Sequence, residues 1–428
     1  MRDTVYTNAA VDESYREILH PSGLTIRVLH KDGYKSSYAM FATKYGSIDT
    51  KIRQPDGSFR TIPEGTAHFL EHKLFESEEL DAFARFAQTG ASANAFTSFD
   101  MTAYLFSCAD RFDENLEILL DFVQSPYFTE ETVRKEQGII GQEIHMYKDS
   151  ADWEVKFNLL HALYHHHPVQ IDIAGTEQTI AQITAELLHG CYRNFYNLGN
   201  MVLCVAGNAT VEQVLSAADK AFKSTGGEKA VREFVPEPPE PRQALIEERL
   251  PVTTPTFALG FKEAVETPER SAKQVLCMTI LLDAIAGKSS ALYRELMQDG
   301  LINHTFFTEY FYGFGYAECE FGGESADPIR TAARIREALR EFKRTGISAE
   351  SFECARRKQY GRMVMMFNDV EDIAIAMTES YFRGEGLFDS LEICRTLTLD
   401  DVNAYLACIP DEAGSALSVI RPTEGETA

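Results

Sequence analysis

At 428 residues the chain exceeds one ordinary domain of about 100 to 200 residues, and its 44% hydrophobic, 25% charged and 11% aromatic composition can fill two cores. Disordered, collagen-like and disulfide-scaffold classes are thereby excluded. With 65 Asp and Glu against 41 Lys and Arg, the formal net charge is −24, which excludes the basic footprint of a nucleic-acid binder.

In chain order, residues 1–19 carry Asp3, Asp12, Glu13 and Glu17 and lack the apolar run of a secretory signal. Residues 25–29 and 38–45 read as strands. Gly65 to Phe75 reads GTAHFLEHKLF, and on a helix its two histidines, His68 and His72, lie on one face a turn apart, where both can reach one zinc ion. Glu71 directly precedes His72 and can stand beside the metal rather than on it. This is the His-x-x-Glu-His order, the reverse of His-Glu-x-x-His. Chance gives about 0.04 such matches in a chain of this composition, so the motif is informative.

Residues 93–106, which include Asn94, Ala95 and Phe96, read as a strand, and residues 112–123 as a helix. After a turn at 125–128, Thr129 is the N-cap of a second helix that runs to Lys148. That helix carries Glu136 and Glu143, seven residues apart and so nearly on one face. Catalytic zinc takes three protein ligands, and spacing does not choose between these two for the third. His145 points to another face. His165, His166 and His167 precede Pro168 and read as a solvated or locally hydrogen-bonded loop. Residues 201–206 read as a strand.

Pro236, Pro238, Pro239 and Pro241 stiffen a charged stretch that makes an extended linker, which gives a catalytic zinc-binding domain over 1–224, a linker over 225–243 and a homologous domain without metal over 244–428. In the second half, residues 257–261 and 306–312 read as strands and 329–342 as a helix; Ser348 opens the next helix as Thr129 does in the first half. The helix pairs superpose at an offset of 219 residues, the mark of a duplicated domain. At that offset Glu136 and Glu143 fall on Ala355 and Arg362, which do not bind zinc, and the second half has only His304 and no such motif. Residues 363–366, with three methionines at helical spacing, read as core. Each half is α+β, with helices packed on a largely antiparallel sheet. The eight cysteines form no Cys-x-x-Cys pair, and no apolar run approaches the 18 or so residues that span a bilayer, so the expected setting is a reducing cytoplasm with no membrane.

Together with Ala93-Asn94-Ala95-Phe96-Thr97-Ser98, Glu136 to Ile144, His167-Pro168, Gly175-Thr176 and Gly287 to Tyr293, the motif at His68 to His72 resembles the pitrilysin/insulinase family of zinc peptidases over nearly the whole chain. The resemblance implies the metallopeptidase fold of the insulinase and mitochondrial-processing-peptidase type, and one Zn2+ per chain held by His68, His72 and Glu143. It implies Glu71 as general base and Glu136 as a supporting carboxylate. Asn94, Ala95 and Phe96 would lie on an edge strand that pairs with a short or unfolded peptide in a chamber, with the Asn94 amide offered to a substrate carbonyl. The chain departs from the family where many members carry an Arg and a Tyr about seven residues apart: Met297 stands at the Arg position, and Ile302 or Asn303 at the Tyr position. A homologous second subunit supplying that pair would make the enzyme a heterodimer. If Tyr293, His304 or Tyr310 substituted in cis, a homodimer would suffice, and a third reading is a peptide-binding or assembly subunit that depends on its partner for turnover.

Overall fold

The computed structural model describes residues 2–53, 56–78, 80–222 and 226–423. Its strands, in chain order, are β1 (Arg2–Asn8), β2 (Glu13–Leu19), β3 (Thr25–His30), β4 (Ser37–Thr43), β5 (Lys51–Arg53), β6 (Phe59–Thr61), β7 (Ser92–Thr97), β8 (Thr102–Cys108), β9 (Met201–Gly207), β10 (Leu245–Leu250), β11 (Thr256–Lys262), β12 (Phe307–Gly313), β13 (Tyr316–Glu324) and β14 (Ser415–Pro422). One sheet runs β1-β2-β3-β9-β4-β8-β7 and another β10-β14-β11-β13-β12, while β5 and β6 pair as a separate hairpin.

The two large sheets share a plan. The last five strands of the first, β3-β9-β4-β8-β7, repeat in the second as β10-β14-β11-β13-β12. In each, the first pair is parallel and the other three are antiparallel. Helices pack on both. The chain is therefore the expected α+β protein of two homologous domains with largely antiparallel sheets. The expected strand at 93–106 is in fact a hairpin, because Ser98 to Asp100 turn between β7 and β8 and the Ser98 N–H closes on the Met101 carbonyl at 2.8 Å.

The first half has helices α1 (Thr66–Leu74), α2 (Ala82–Thr89), α3 (Phe112–Gln124), α4 (Glu130–Lys148) and α5 (Ala151–Leu163). The starts of α4 and of helix Ala349–Met366, and those of α5 and helix Val370–Phe382, are both 219 residues apart (130 to 349, 151 to 370). The repeat also exchanges parts. One compact unit comprises residues 1–144, 172–232 and 364–388; the other comprises 145–171, 233–363 and 389–428. In the second unit α5 buries Val155, Leu159, Leu160 and Leu163 and packs on β14 and β11. In the first, helix Val370–Phe382 buries Ile373, Ala374 and Met377 and packs on β9 and β4. Each half thus contributes one helix to the unit built around the other half's sheet. These units cut across the division expected at the linker, and residues 224 and 225, where that boundary falls, lie outside the described residues.

The linker has no helix or strand among its described residues, but it is held at fixed points. Within the first unit Arg232 is bidentate to Asp49 and also bonds Asp100. Within the second, the Glu237 carboxylate accepts the backbone N–H groups of His165, His166 and His167. The histidine tract is thus a backbone clamp on the linker, as its locally hydrogen-bonded reading expects. The methionine run is core only in part: Met363 packs on the second hydrophobic core, while Met365 is 69% exposed. All eight cysteines are free thiols. Among the described residues no single helix is long and apolar enough to cross a membrane.

Candidate metal and catalytic site

Helix α1 begins at a backbone constriction. Gly65 caps it with φ +81°, and a Cβ there would lie 2.3 Å from the Ala174 carbonyl oxygen. Gly175, at φ +73°, meets the Glu64 carbonyl in the same way. Only glycine tolerates both the left-handed conformation and so close an approach. This contact fixes the start of a helix that is buried at every position except His72, so His68 and Glu71 sit in the protein interior, with His72 half-buried beside them.

Helix α4 supplies the facing carboxylates. It buries Val133, Glu136, Ile140, Gly141 and Ile144, a stripe at helical spacing, with half-buried Glu143 at its margin two turns beyond Glu136. The fold separates the two glutamates that spacing left equivalent. Glu143 Oε1 lies 3.6 Å from His68 Nε2, and its Oε2 lies 3.5 Å from His72 Nε2. Glu136 instead accepts a hydrogen bond from His72 Nδ1 at 3.0 Å. His145 is exposed.

The gaps between the two histidines and Glu143 are long for hydrogen bonds. Each runs to a different Glu143 oxygen, and both are close to the separation of about 3.3 Å between neighbouring ligands around a tetrahedral zinc with bonds of about 2.0 to 2.1 Å. One ligand atom from each of His68, His72 and Glu143 lies within 4.8 Å of the other two. Three carboxylates, those of Glu71, Glu136 and Glu143, surround two imidazoles, an excess of negative charge that favours a cation. Donor types, spacing and charge all fit zinc. The Glu136–His72 hydrogen bond has the form of the carboxylate–histidine pairs that orient metal-binding imidazoles.

Glu71 points elsewhere. Its Oε2 accepts the Thr97 hydroxyl at 2.9 Å, at the end of edge strand β7. Burial pushes its carboxyl above the ordinary range, and the neighbouring histidines and the Thr97 bond pull it partly back. For His72, burial favours the neutral ring, but the Glu136 hydrogen bond and the charges of Glu71, Glu143 and Glu136 outweigh it and hold the ring above its usual pKa.

Asn94, Ala95 and Phe96 lie on β7, which packs on α1 and, among the described residues, has no strand paired along its outer edge. Asn94 is exposed, and its Oδ1 accepts the Ala95 N–H at 2.9 Å. Nothing in the local sequence marks Thr97 as part of the site. The signal available was the strand period of two, which puts Thr97 on the same face as Ala95, but which face meets α1 depends on packing. In the second unit Tyr310 donates to Glu263 at 2.6 Å and so is already engaged, and Met297 is 40% exposed.

Residues 57–177, which hold the whole site, match the family model Insulinase (Peptidase family M16), and residues 182–359 match the Peptidase M16 inactive domain. The zinc protease YmfH of Bacillus subtilis is 42% identical over 393 residues, covering 89% of this chain and 90% of that protein. The chain belongs to the M16 peptidase family. An M16-like peptidase from Alicyclobacillus acidocaldarius is similar in structure, with a TM-score of 0.91 at 37% identity, covering 96% of this chain and 99% of that one. A shorter match, 30% identical over 178 residues, is to the mitochondrial-processing peptidase subunit beta of Caenorhabditis elegans, covering 40% of this chain and 39% of that protein.

Proposed function

We propose that this M16 protein is a zinc endopeptidase that hydrolyses short or unfolded peptides laid as an added strand along β7 in a chamber. The observation that carries the reading is the convergence of His68, His72 and Glu143, with Glu71 beside them and hydrogen-bonded away from Glu143. His68, His72 and Glu143 would hold one Zn2+ per chain, and Glu136 would keep His72 oriented. Zinc held there would supply Lewis-acid activation of water and of a peptide carbonyl. Glu71 accepts the proton from the attacking water and returns it to the leaving nitrogen. The free edge of β7 offers main-chain hydrogen bonds to the peptide, with the Asn94 amide, Ala95 and Phe96 beside it; such backbone pairing accommodates many sequences. Zinc stoichiometry and cleavage of a mixed peptide library test this together: about one zinc per chain, activity lost on chelation and restored by zinc, and both lost in His68→Ala support it. Cleavage unaffected by chelation contradicts it.

A homologous second subunit that supplies the missing Arg and Tyr would complete the site, and we favour such a heterodimer over a homodimer. Met297 at the Arg position and the match of residues 182–359 to an inactive M16 domain support it. They equally favour a second reading, a peptide-binding or assembly subunit without turnover of its own. Cleavage by the chain alone, unchanged by a co-purified homologue, argues against the partner. Cytoplasmic residence is proposed from the eight free thiols.

A further inference from the structure

The Thr97 hydroxyl belongs to no ligand set, yet it is the group that holds the proposed base. We propose that Thr97 is a positioning residue: its hydroxyl fixes Glu71 through Oε2 and leaves Oε1 as the oxygen that takes up the proton. This rests on the reading of Glu71 as general base.

Hydrogen-bond accounting makes the direction definite. A hydroxyl carries one proton. Thr102 Oγ1, 3.4 Å from Thr97 Oγ1, spends its proton on the Tyr45 carbonyl at 2.8 Å. Thr97 therefore receives nothing from Thr102, and its own proton goes to the nearer acceptor, Glu71 Oε2 at 2.9 Å. The bond leaves one Glu71 oxygen uncommitted to Thr97, and a base restrained at one oxygen keeps the other in a fixed place.

Thr97 is itself held from three sides. It pairs with Thr102 across the β7–β8 ladder. The turn after it docks on the loop that follows β4, where the N–H groups of Ser47 and Ile48 donate to the carbonyls of Ser98 and Phe99 at 3.0 and 3.1 Å. Arg232 then grips the far end of the turn through the Asp100 side chain and carbonyl. A threonine on so braced a strand loses little freedom when it makes the bond.

The test uses the full chain, with its partner if activity requires one. Thr97→Val removes the hydroxyl but keeps the β-branched shape, and Thr97→Ser keeps the hydroxyl. We expect Thr97→Val to lower kcat about 10- to 100-fold with KM within about two-fold and zinc content unchanged, and Thr97→Ser to stay within about three-fold of wild type. In a Glu71→Gln background, Thr97→Val should leave the residual single-turnover rate unchanged, because its effect passes through Glu71. Wild-type kcat in Thr97→Val overturns the proposal, as does a fall in zinc content or an equal loss in the Glu71→Gln background. If Glu71→Gln alone cleaves like wild type, the base assignment fails first, and that outcome is read separately from the Thr97 series.

Discussion

Replacing Arg232 with Ala removes the clamp between the loop after β4 and the β7–β8 turn, and its cost can be worked from the structure. Arg232 and Asp49 side chains are 8% and 4% exposed, and the guanidinium makes two bonds of 2.8 and 2.7 Å to the Asp49 carboxylate. Burial already pushes the Asp49 carboxyl up, and Arg232 is the main opposing influence. Without the arginine, Asp49 is a buried charge with no counter-ion, which typically costs about 3 to 5 kcal/mol. Its escape is to bind a proton. For a carboxyl that ionises near 3.9 in the unfolded chain this takes about 4 kcal/mol at pH 7, so the loss should be about 3 to 4 kcal/mol. The sign with pH follows. In the variant the folded-state pKa of Asp49 is raised further, so the penalty is full near pH 7 and shrinks as pH falls towards about 4, where the unfolded chain protonates too.

Trp153, the single tryptophan, belongs to the other compact unit, so fluorescence does not read this loss. Amide hydrogen exchange of residues 46–49 and 96–101 does, across a urea series at pH 7 and pH 4.5. Adding Asp49→Asn should restore most of the protection, because the buried charge is gone. A loss below about 1 kcal/mol, or no recovery in the double variant, refutes the reasoning.

Glu318 carries a second pH prediction. Burial pushes its carboxyl up to about 7 despite Lys156 at 3.2 Å, so between about pH 4.5 and 7 the folded chain keeps a proton that the unfolded chain has released, and stability falls as pH rises. Glu318→Gln should therefore gain on wild type by up to about 3 kcal/mol from pH 4 to pH 8, read by Trp153 fluorescence in urea; a flat difference contradicts the assignment. Glu136→Gln should weaken zinc binding about 10-fold in chelator competition, since it leaves His72 without its charged partner. Gly65→Ala should cost about 2 kcal/mol or more in thermal unfolding and lower zinc occupancy, because it puts a Cβ 2.3 Å from the Ala174 carbonyl oxygen at a positive φ.

What the sequence discloses follows from the range of each physical signal. His68, Glu71 and His72 are legible because helix geometry acts over four residues, and the gap between α1 and α4 is not. Spacing left Glu136 and Glu143 equal; the packing of α4 gave one to both histidines and the other to His72 Nδ1. Thr97 was hidden for the same reason, since its partner lies 26 residues away across a helix–strand contact. The offset of 219 residues is a local pattern repeated, so it was visible as helix starts. The exchange of α5 and helix Val370–Phe382 was not, because an apolar stripe says that a helix packs and not on which sheet. The His165 to His167 tract shows the converse. Its residues have metal-binding side chains, yet the backbone N–H groups bind Glu237 and the rings bond locally, His165 Nε2 with the Glu240 carbonyl at 3.2 Å and His167 Nε2 with the Phe314 carbonyl at 2.9 Å.

The most direct measurement is zinc content together with cleavage of a mixed peptide library by wild type and Glu71→Gln, each with any co-purified homologue present. About one zinc per chain is expected in both proteins, with a loss of cleavage of at least about 100-fold in the variant, because Glu71 would move the proton while His68, His72 and Glu143 would hold the metal. Equal cleavage by the two proteins, or loss of zinc along with activity in Glu71→Gln, would contradict that expectation.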